Sequence, residues 1–291
     1  MDTPPEGREI SIDEIPDQEL LAMLTPQFSS VVPILYRSGH FRSTRLRRYL
    51  NSPMLPGLNR LLERLDLAAD AYEKDDRLKP ATGLVRRARA DFEAAIVCTF
   101  SGLSFACRDQ MRDVMEIEYL LRDFRYHLPR LDQWATASPD EERNRFAPGN
   151  LRQREAKRRG IGVNKLVDSL DYKLHSKALH VTKSSSRSVA RGVEADRGQV
   201  GVLHGDEDLW EIFIHASRLL DQAAGLYDAA GLSAPVAGED DAFNVAWRAC
   251  EKAQSDYLTL ITEASRARKA AAGDASEAVS FREWLNRGPT S

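Results

Sequence analysis

Apolar residues recur with the period of an α-helix through most of this 291-residue chain. The clearest stripe, with members at i, i+3, i+4 and i+7, consists of Leu58, Leu61, Leu62, Leu65, Ala68, Ala69 and Tyr72. Similar stripes predict further helices over about 84–99, 107–124, 163–182, 206–230 and 240–272. Because no region is rich in strand patterns, we expect an all-α protein, an antiparallel helical bundle with additional terminal helices.

Proline and glycine punctuate these predicted helices and divide the chain. A loop with at most one helical turn is expected over residues 39–57, which hold Gly39, Pro53, Pro56 and Gly57. The sequence 138–141, Ser-Pro-Asp-Glu, has the form of a helix start, and Pro-Gly-Asn at 148–150 is expected to break that helix. The predicted division is an N-terminal helical extension with a basic loop (1–57), a bundle core (58–231) and C-terminal helices packed on that core (232–291).

Composition excludes several classes of protein. Cys98, Cys107 and Cys250 are too few and too scattered for a disulfide framework or a thiolate metal cage. No apolar run approaches the roughly 20 residues of a membrane span, and the acidic N-terminus is the opposite of a secretory signal. The chain has no His-Glu-x-x-His spacing, phosphate loop or dinucleotide glycine fingerprint. We therefore expect a soluble cytoplasmic protein with no membrane partner, no metal and no cofactor.

The net charge of −3 is an average over three unlike segments. Residues 1–24 carry a net −6, residues 25–200 a net +10 and residues 201–291 a net −7. The basic middle of the chain favours a polyanionic partner such as RNA. The alternative is that the acidic ends fold back over this basic middle.

One candidate for catalysis is the pair Arg122 and His127, which four residues separate. A histidine can move the proton of a ribose 2′-hydroxyl while a neighbouring arginine stabilises the charged phosphorane. The spacing has the form of the catalytic motif of HEPN-type RNases. The alternative is a solvated helix C-terminus, where the helix dipole favours cations.

Two polar groups at helical spacing form a second candidate site. The first group, at i, i+4 and i+8, is Tyr172, Ser176 and His180. The second group is Arg112, Glu116 and Tyr119. In an enzyme, His127 or His180 would be the general acid or base, and Arg122 or Arg112 the cation that stabilises phosphate. The alternatives are polar residues that find partners inside the bundle and an ordinary ion pair on the surface.

Two basic stretches carry the pattern of a nucleic-acid surface. The first, which has interleaved aromatic residues and no acid, contains Arg42, Arg45, Arg47 and Arg48. The second contains Arg154, Lys157, Arg158 and Arg159. Arginine contacts phosphates and aromatic side chains stack on bases, so both stretches are candidates for RNA binding. The alternative for each is a solvated basic surface that faces acidic segments of the same chain.

The order of these motifs resembles that of uncharacterised bacterial all-helical proteins related to the HEPN superfamily. The resemblance covers roughly residues 58–230 and rests on a helix with Arg108, Arg112, Met115, Glu116 and Tyr119, a basic loop, and then the Tyr172, Ser176 and His180 group. It implies a helical bundle, often dimeric, that acts in toxin–antitoxin or phage-defence systems as a metal-independent RNase. Other members of the superfamily are inactive binding modules.

The sequence thus leads to two hypotheses for function. The first is a protein that binds or cleaves RNA in a defence or stress system. The second is a non-catalytic helical module that binds a protein or nucleotide partner. An exposed His127, together with Tyr172 and His180 buried against Arg112 or Glu116, would favour a structural role for the polar residues.

Overall fold

The computed structural model describes residues 32–166, 207–233 and 240–271, together with the single residues Ala22 and Pro26. Within these residues the regular structure is helical, with no strand. The eight helices longer than one turn are α1 (Val32–Tyr49), α2 (Met54–Glu73), α3 (Thr82–Phe100), α4 (Ser104–Tyr126), α5 (Pro129–Ala135), α6 (Pro148–Arg159), α7 (Glu207–Ala229) and α8 (Ala242–Ala271). The prediction of an all-α bundle is confirmed.

The core lies among α2, α3, α4 and α7, and α8 packs on α2 and α7. Leu61, Phe92, Leu121 and Phe213 bring one side chain from each of the four central helices into this core, where all are fully buried. Burial of each such side chain contributes roughly 1.5–3 kcal/mol to folding. The three stripes predicted for α2, α3 and α4 therefore face inward, as their spacing requires.

The order of contacts gives the direction of each helix. Short connections make α3 antiparallel to both α2 and α4. Helix α7 runs parallel to α4, because Glu118 lies beside His215 and, further along both helices, Arg125 pairs with Asp221. The phenol of Tyr72 donates to the carbonyl of Ala223 at 2.7 Å and ties α2 to α7.

The predicted loop over residues 39–57 is wrong. Residues 39–49 belong to α1, and Met54 begins α2 after a short turn. Pro53 occupies the N-cap position of α2 and Pro56 lies in its first turn, where the backbone N–H groups have no helical partner in any case. Gly57 does not end a helix either. A Cβ at this position would overlap the Cβ of Ala246, so the missing side chain lets α2 and α8 approach closely.

The predictions for residues 138–150 are confirmed. Ser138 and Glu141 form a complete capping box, and a short helical segment follows to Phe146. This segment ends before Pro148, as predicted, because Ala147 leaves the helical conformation with ψ 144°. Pro148 also begins a new helix, since it occupies the first turn of α6. Helix α6 ends at Gly160, whose φ of 66° is left-handed. Residues 167–206 and 272–291, with the helix, loop and terminal helix predicted there, lie outside the described residues.

Candidate nucleic-acid interface

A cleft opens between the C-terminal end of α4 and one face of α6. Its volume of about 590 Å³ lies within the usual range for small-ligand sites. The residues that line it are Tyr119, Arg122, Asp123, Tyr126, His127, Arg130, Leu151, Arg154, Glu155, Lys157 and Arg158. The fold thus brings the predicted Arg122 and His127 pair together with three residues of the second basic stretch.

Aromatic packing holds α6 against α4. The ring of Phe124 lies 5.8 Å from that of Trp134 in α5 and 6.3 Å from that of Phe146, just before α6. Phe124, Phe146 and Leu151 are buried, so this contact fixes where α6 begins. Helix α4 ends at Tyr126, and the next residue, His127, leaves the helical conformation with φ −154° and ψ 78°.

Asp123 organises one wall of the cleft. Its buried carboxylate accepts hydrogen bonds from Arg130 Nη1 at 2.6 Å and from Arg154 Nε and Nη2 at 3.0 and 2.8 Å. Arg154 Nη1 also donates to the carbonyl of Arg145 at 2.6 Å. Hydrogen bonds between ions are strong and directional. Asp123 therefore fixes two guanidinium groups at the edge of the cleft.

Arg122 is held from the inside of the protein. It is almost fully buried and pairs with Glu118, one helical turn earlier. Glu118 Oε2 lies 3.9 Å from His215 Nδ1, and His215 Nε2 lies 3.7 Å from Glu211 Oε2. Sequence reasoning missed Glu118 and His215, although Glu118 stands at the i−4 position that pairs with an arginine on a helix. Because of Glu118, the charge of Arg122 is balanced within the fold.

His127 lies at the mouth of the same cleft. The residue is exposed, and its imidazole has no hydrogen bond to any residue that the structure describes. An exposed His127 is one of the two conditions that would favour a structural role for the polar residues. The other condition concerns Tyr172 and His180, which lie outside the described residues together with Ser176. The catalytic roles of Arg122, His127 and His180 stay predictions.

A second part of the lining combines an aromatic ring with basic residues. Tyr126 is 50% exposed, and the guanidinium carbon of Arg158 lies 3.6 Å from its ring centroid. Arg158 also donates to Glu155 through Nε and Nη2, both at 2.8 Å, and Arg159 donates to the same carboxylate. Burial alone would raise the pKa of Glu155, but these hydrogen bonds outweigh burial and hold the pKa below its ordinary value.

The lining of the cleft carries a positive balance. It contains five arginine or lysine side chains and two carboxylates. Each carboxylate, from Asp123 or Glu155, is already hydrogen-bonded to two arginines. The side chain of Lys157 is exposed and has neither a hydrogen bond nor an ion pair to the described part of the chain. Because Glu118 balances Arg122, four cations face two carboxylates, and an anion that enters would meet an excess of two positive charges.

The four arginines of the first basic stretch do not line the cleft. Arg42 donates to Ser101 Oγ at 3.2 Å, and Arg45 donates to the carbonyl of Thr99, so both bind the C-terminal end of α3. Cations are favoured at this end of a helix. Arg48 lies 5.5 Å from the ring of its neighbour Tyr49, while Arg47 is exposed. Arg42 and Arg45, two of the four arginines predicted to contact phosphate, thus stabilise the fold instead.

The predicted pair on α4 is present. Arg112 Nη2 lies 3.4 Å from Glu116 Oε1, and both side chains are about one third exposed. Tyr119, one turn further on, is buried and lies 5.7 Å from the guanidinium carbon of Arg122. Tyr119 is therefore the one member of this group that reaches the cleft.

Two general features complete the description of the site. Among residues 32–166, 207–233 and 240–271, no cluster of three or more His, Cys, Asp or Glu side chains is arranged to hold a metal ion. None of the described helices has an apolar stretch long enough to cross a membrane.

No known family model, curated protein or solved structure matches the chain.

Proposed function

We propose that the cleft between α4 and α6 binds RNA through its phosphate groups. The observation that carries this proposal is the excess of cations around an exposed aromatic ring, with both lining carboxylates already bound to arginines. Arginine and lysine supply phosphate contacts and tyrosine supplies a stacking platform, which is the combination used for single-stranded nucleic acids. The arginines on α1 are the weaker candidates, because Arg42 and Arg45 bind α3.

Each side chain in the cleft has a distinct task in this proposal. Arg130 and Arg154 present guanidinium groups whose orientation is set by Asp123. Lys157 supplies a flexible point charge. The guanidinium of Arg158 covers one face of the Tyr126 ring, and the exposed remainder of that ring is available to a base. Phosphate binding and base stacking are therefore available within one cleft.

Binding is favoured over cleavage by the pairing of Arg122. An arginine that stabilises a phosphorane must direct its charge at the phosphate, whereas Arg122 is buried against Glu118. Cleavage by His127 remains the enzymatic form of the proposal, since His127 lines the cleft. Cleavage is tested by gel electrophoresis of the RNA after incubation, with EDTA present, with the wild type, His127→Ala or His180→Ala.

Fluorescence anisotropy with a labelled single-stranded RNA across a series of salt concentrations tests the binding proposal. For single strands the logarithm of the association constant falls with slope about −0.7 per neutralised phosphate. Lys157→Ala should weaken binding and reduce the slope by about 0.7, the loss of one contact. Tyr126→Ala should weaken binding by about 1–3 kcal/mol with little change in slope. Lys252→Ala, which removes an exposed lysine from α8, is the matched control and should change neither quantity.

Two results would contradict this function. The first is an affinity for RNA that does not fall with salt. The second is equal behaviour of Lys157→Ala and Lys252→Ala. Capture of a protein partner by a chain that does not bind RNA would favour the non-catalytic interaction module instead.

The remaining parts of the hypothesis belong to this proposal as well. A cytoplasmic location suits an RNA-binding protein with three free cysteines, Cys98, Cys107 and Cys250. Membership of the HEPN superfamily, a role in defence or stress, and a homodimer are proposed on the resemblance of the motifs. Light scattering of the purified protein measures the oligomeric state directly.

A further inference from the structure

A second depression adjoins the cleft across α6. Its volume is about 340 Å³, and it shares Arg154 and Lys157 with the cleft. Its other lining residues are Asn144, Arg145, Asn150 and Gln153. We call it the amide depression, because three of its six lining side chains are carboxamides and none is a carboxylate.

The geometry of α6 connects the two depressions. Asn150, Gln153 and Lys157 stand at i, i+3 and i+7, so they form one row along the helix, and Arg154 is their neighbour. Seven residues of helix span about 10 Å. A strand whose phosphates lie over Arg154 and Lys157 therefore continues directly from the cleft into the amide depression.

The walls of the amide depression are braced from within the protein. Arg145 Nη2 donates to Gln133 Oε1 at 2.7 Å, and Asn150 Nδ2 donates to the carbonyl of Asn144 at 2.8 Å. In contrast, the side-chain amides of Asn144 and Gln153 are exposed and have no hydrogen bond to the described residues. Two amides are thus presented to solvent on a fixed frame.

Amides suit bases better than phosphates. A carboxamide carries a donor and an acceptor side by side, which matches the edges of nucleobases, whereas a phosphate only accepts. In a duplex the pairing edges are occupied, the deep, narrow major groove of A-form RNA excludes side chains, and the wide minor groove is recognised mostly through its shape and its 2′-hydroxyl and phosphate groups. The ligand that uses both the cations of α6 and these amides is a single strand with unpaired bases.

We propose that the amide depression is a second nucleotide subsite, which binds base edges of the single-stranded RNA whose phosphates lie over Arg154 and Lys157. This inference rests on the proposed function of the cleft. It adds a set of contacts that only a strand long enough to cross α6 can make.

The test compares a labelled uridine trinucleotide with a labelled uridine dodecanucleotide, both measured by fluorescence anisotropy. Gln153→Ala should weaken binding of the long strand by about two- to tenfold, the loss of one neutral hydrogen bond. It should leave binding of the trinucleotide unchanged, since the cleft holds that ligand alone. Tyr126→Ala should weaken the binding of both. A paired RNA hairpin is the third probe, and its affinity should be the same for wild type and Gln153→Ala.

The outcomes separate the two proposals. If the wild type binds the long strand and Gln153→Ala binds it equally well, the second subsite is wrong while the function of the cleft stands. An equal loss for the trinucleotide and the long strand also overturns the second subsite, because Gln153 would then act on the cleft itself. If the wild type binds neither strand, both proposals fail. Circular dichroism of Gln153→Ala, an exposed substitution, verifies that the fold is retained.

Discussion

Asp123→Asn offers a sharp test, because charge and geometry predict opposite effects on RNA binding. Removal of a carboxylate makes the cleft more positive, so charge alone predicts tighter binding of a polyanion. Asp123 also receives three hydrogen bonds, of 2.6, 2.8 and 3.0 Å, that orient Arg130 and Arg154. Asparagine has one acceptor oxygen in place of two and carries no charge. If orientation dominates, binding is expected to weaken.

The expected change in stability follows from the same contacts. Breaking a buried ion pair costs about 3–5 kcal/mol when the remaining charge stays buried. Here the partners Arg130 and Arg154 are 33% and 29% exposed, so water screens the charges left behind. We therefore expect Asp123→Asn to lower the free energy of unfolding by about 1–3 kcal/mol. Asp140→Asn, at an exposed ion pair with Arg143, is the matched control and should have little effect.

The assays are urea unfolding followed by circular dichroism, and anisotropy with the labelled single-stranded RNA. Asp123→Asn should show reduced stability together with weaker binding, and Asp140→Asn should show neither change. Unchanged stability with tighter binding would refute this expectation, since Asp123 would then be only a negative charge in a basic cleft.

Three further predictions concern the fold and its titratable groups. Gly57→Ala should destabilise the protein by about 1–3 kcal/mol, because the new methyl group overlaps Ala246. Gly83→Ala, in the exposed first turn of α3 with open space around it, should be neutral or slightly stabilising in the same urea assay. The pKa of Glu155 is lowered in the folded state, so its carboxylate stabilises the fold at neutral pH. The difference in the free energy of unfolding between the wild type and Glu155→Gln should therefore be present at pH 7 and disappear as the pH falls from about 4.3 through that lower pKa. Burial raises the pKa of Cys107 to about 12, so a thiol reagent at neutral pH should modify it only after unfolding.

The helices that sequence analysis predicted best are those whose own residues form the core. The stripes of α2, α3 and α4 are wide, and burial of such a stripe enforces the helical period. Helix α1 was missed because its stability depends on contacts elsewhere. Arg42 and Arg45 bind the end of α3, and Tyr49 packs on Phe100 at 6.1 Å. Contacts between distant segments of this kind override local propensity.

Individual residues of the cleft were predictable from the sequence, but their meeting in one place was not. Arg122, His127 and the basic residues of α6 were each named from the sequence. Their meeting in one cleft depends on how Phe124 packs against Trp134 and Phe146, which no spacing along the chain indicates. The role of Asp123 could not be predicted for the same reason, because its partner Arg154 stands 31 positions further along the chain.

The most direct test of the account is to locate RNA on the protein by cross-linking. Single-stranded RNA that contains thiouridine is irradiated in complex with the full chain, and the cross-linked peptides are identified by mass spectrometry. Cross-links are expected in the end of α4, around Tyr126, and along α6 (Pro148–Arg159). Cross-links confined to α1 (Val32–Tyr49), with none at the cleft, would contradict the proposed function of the cleft.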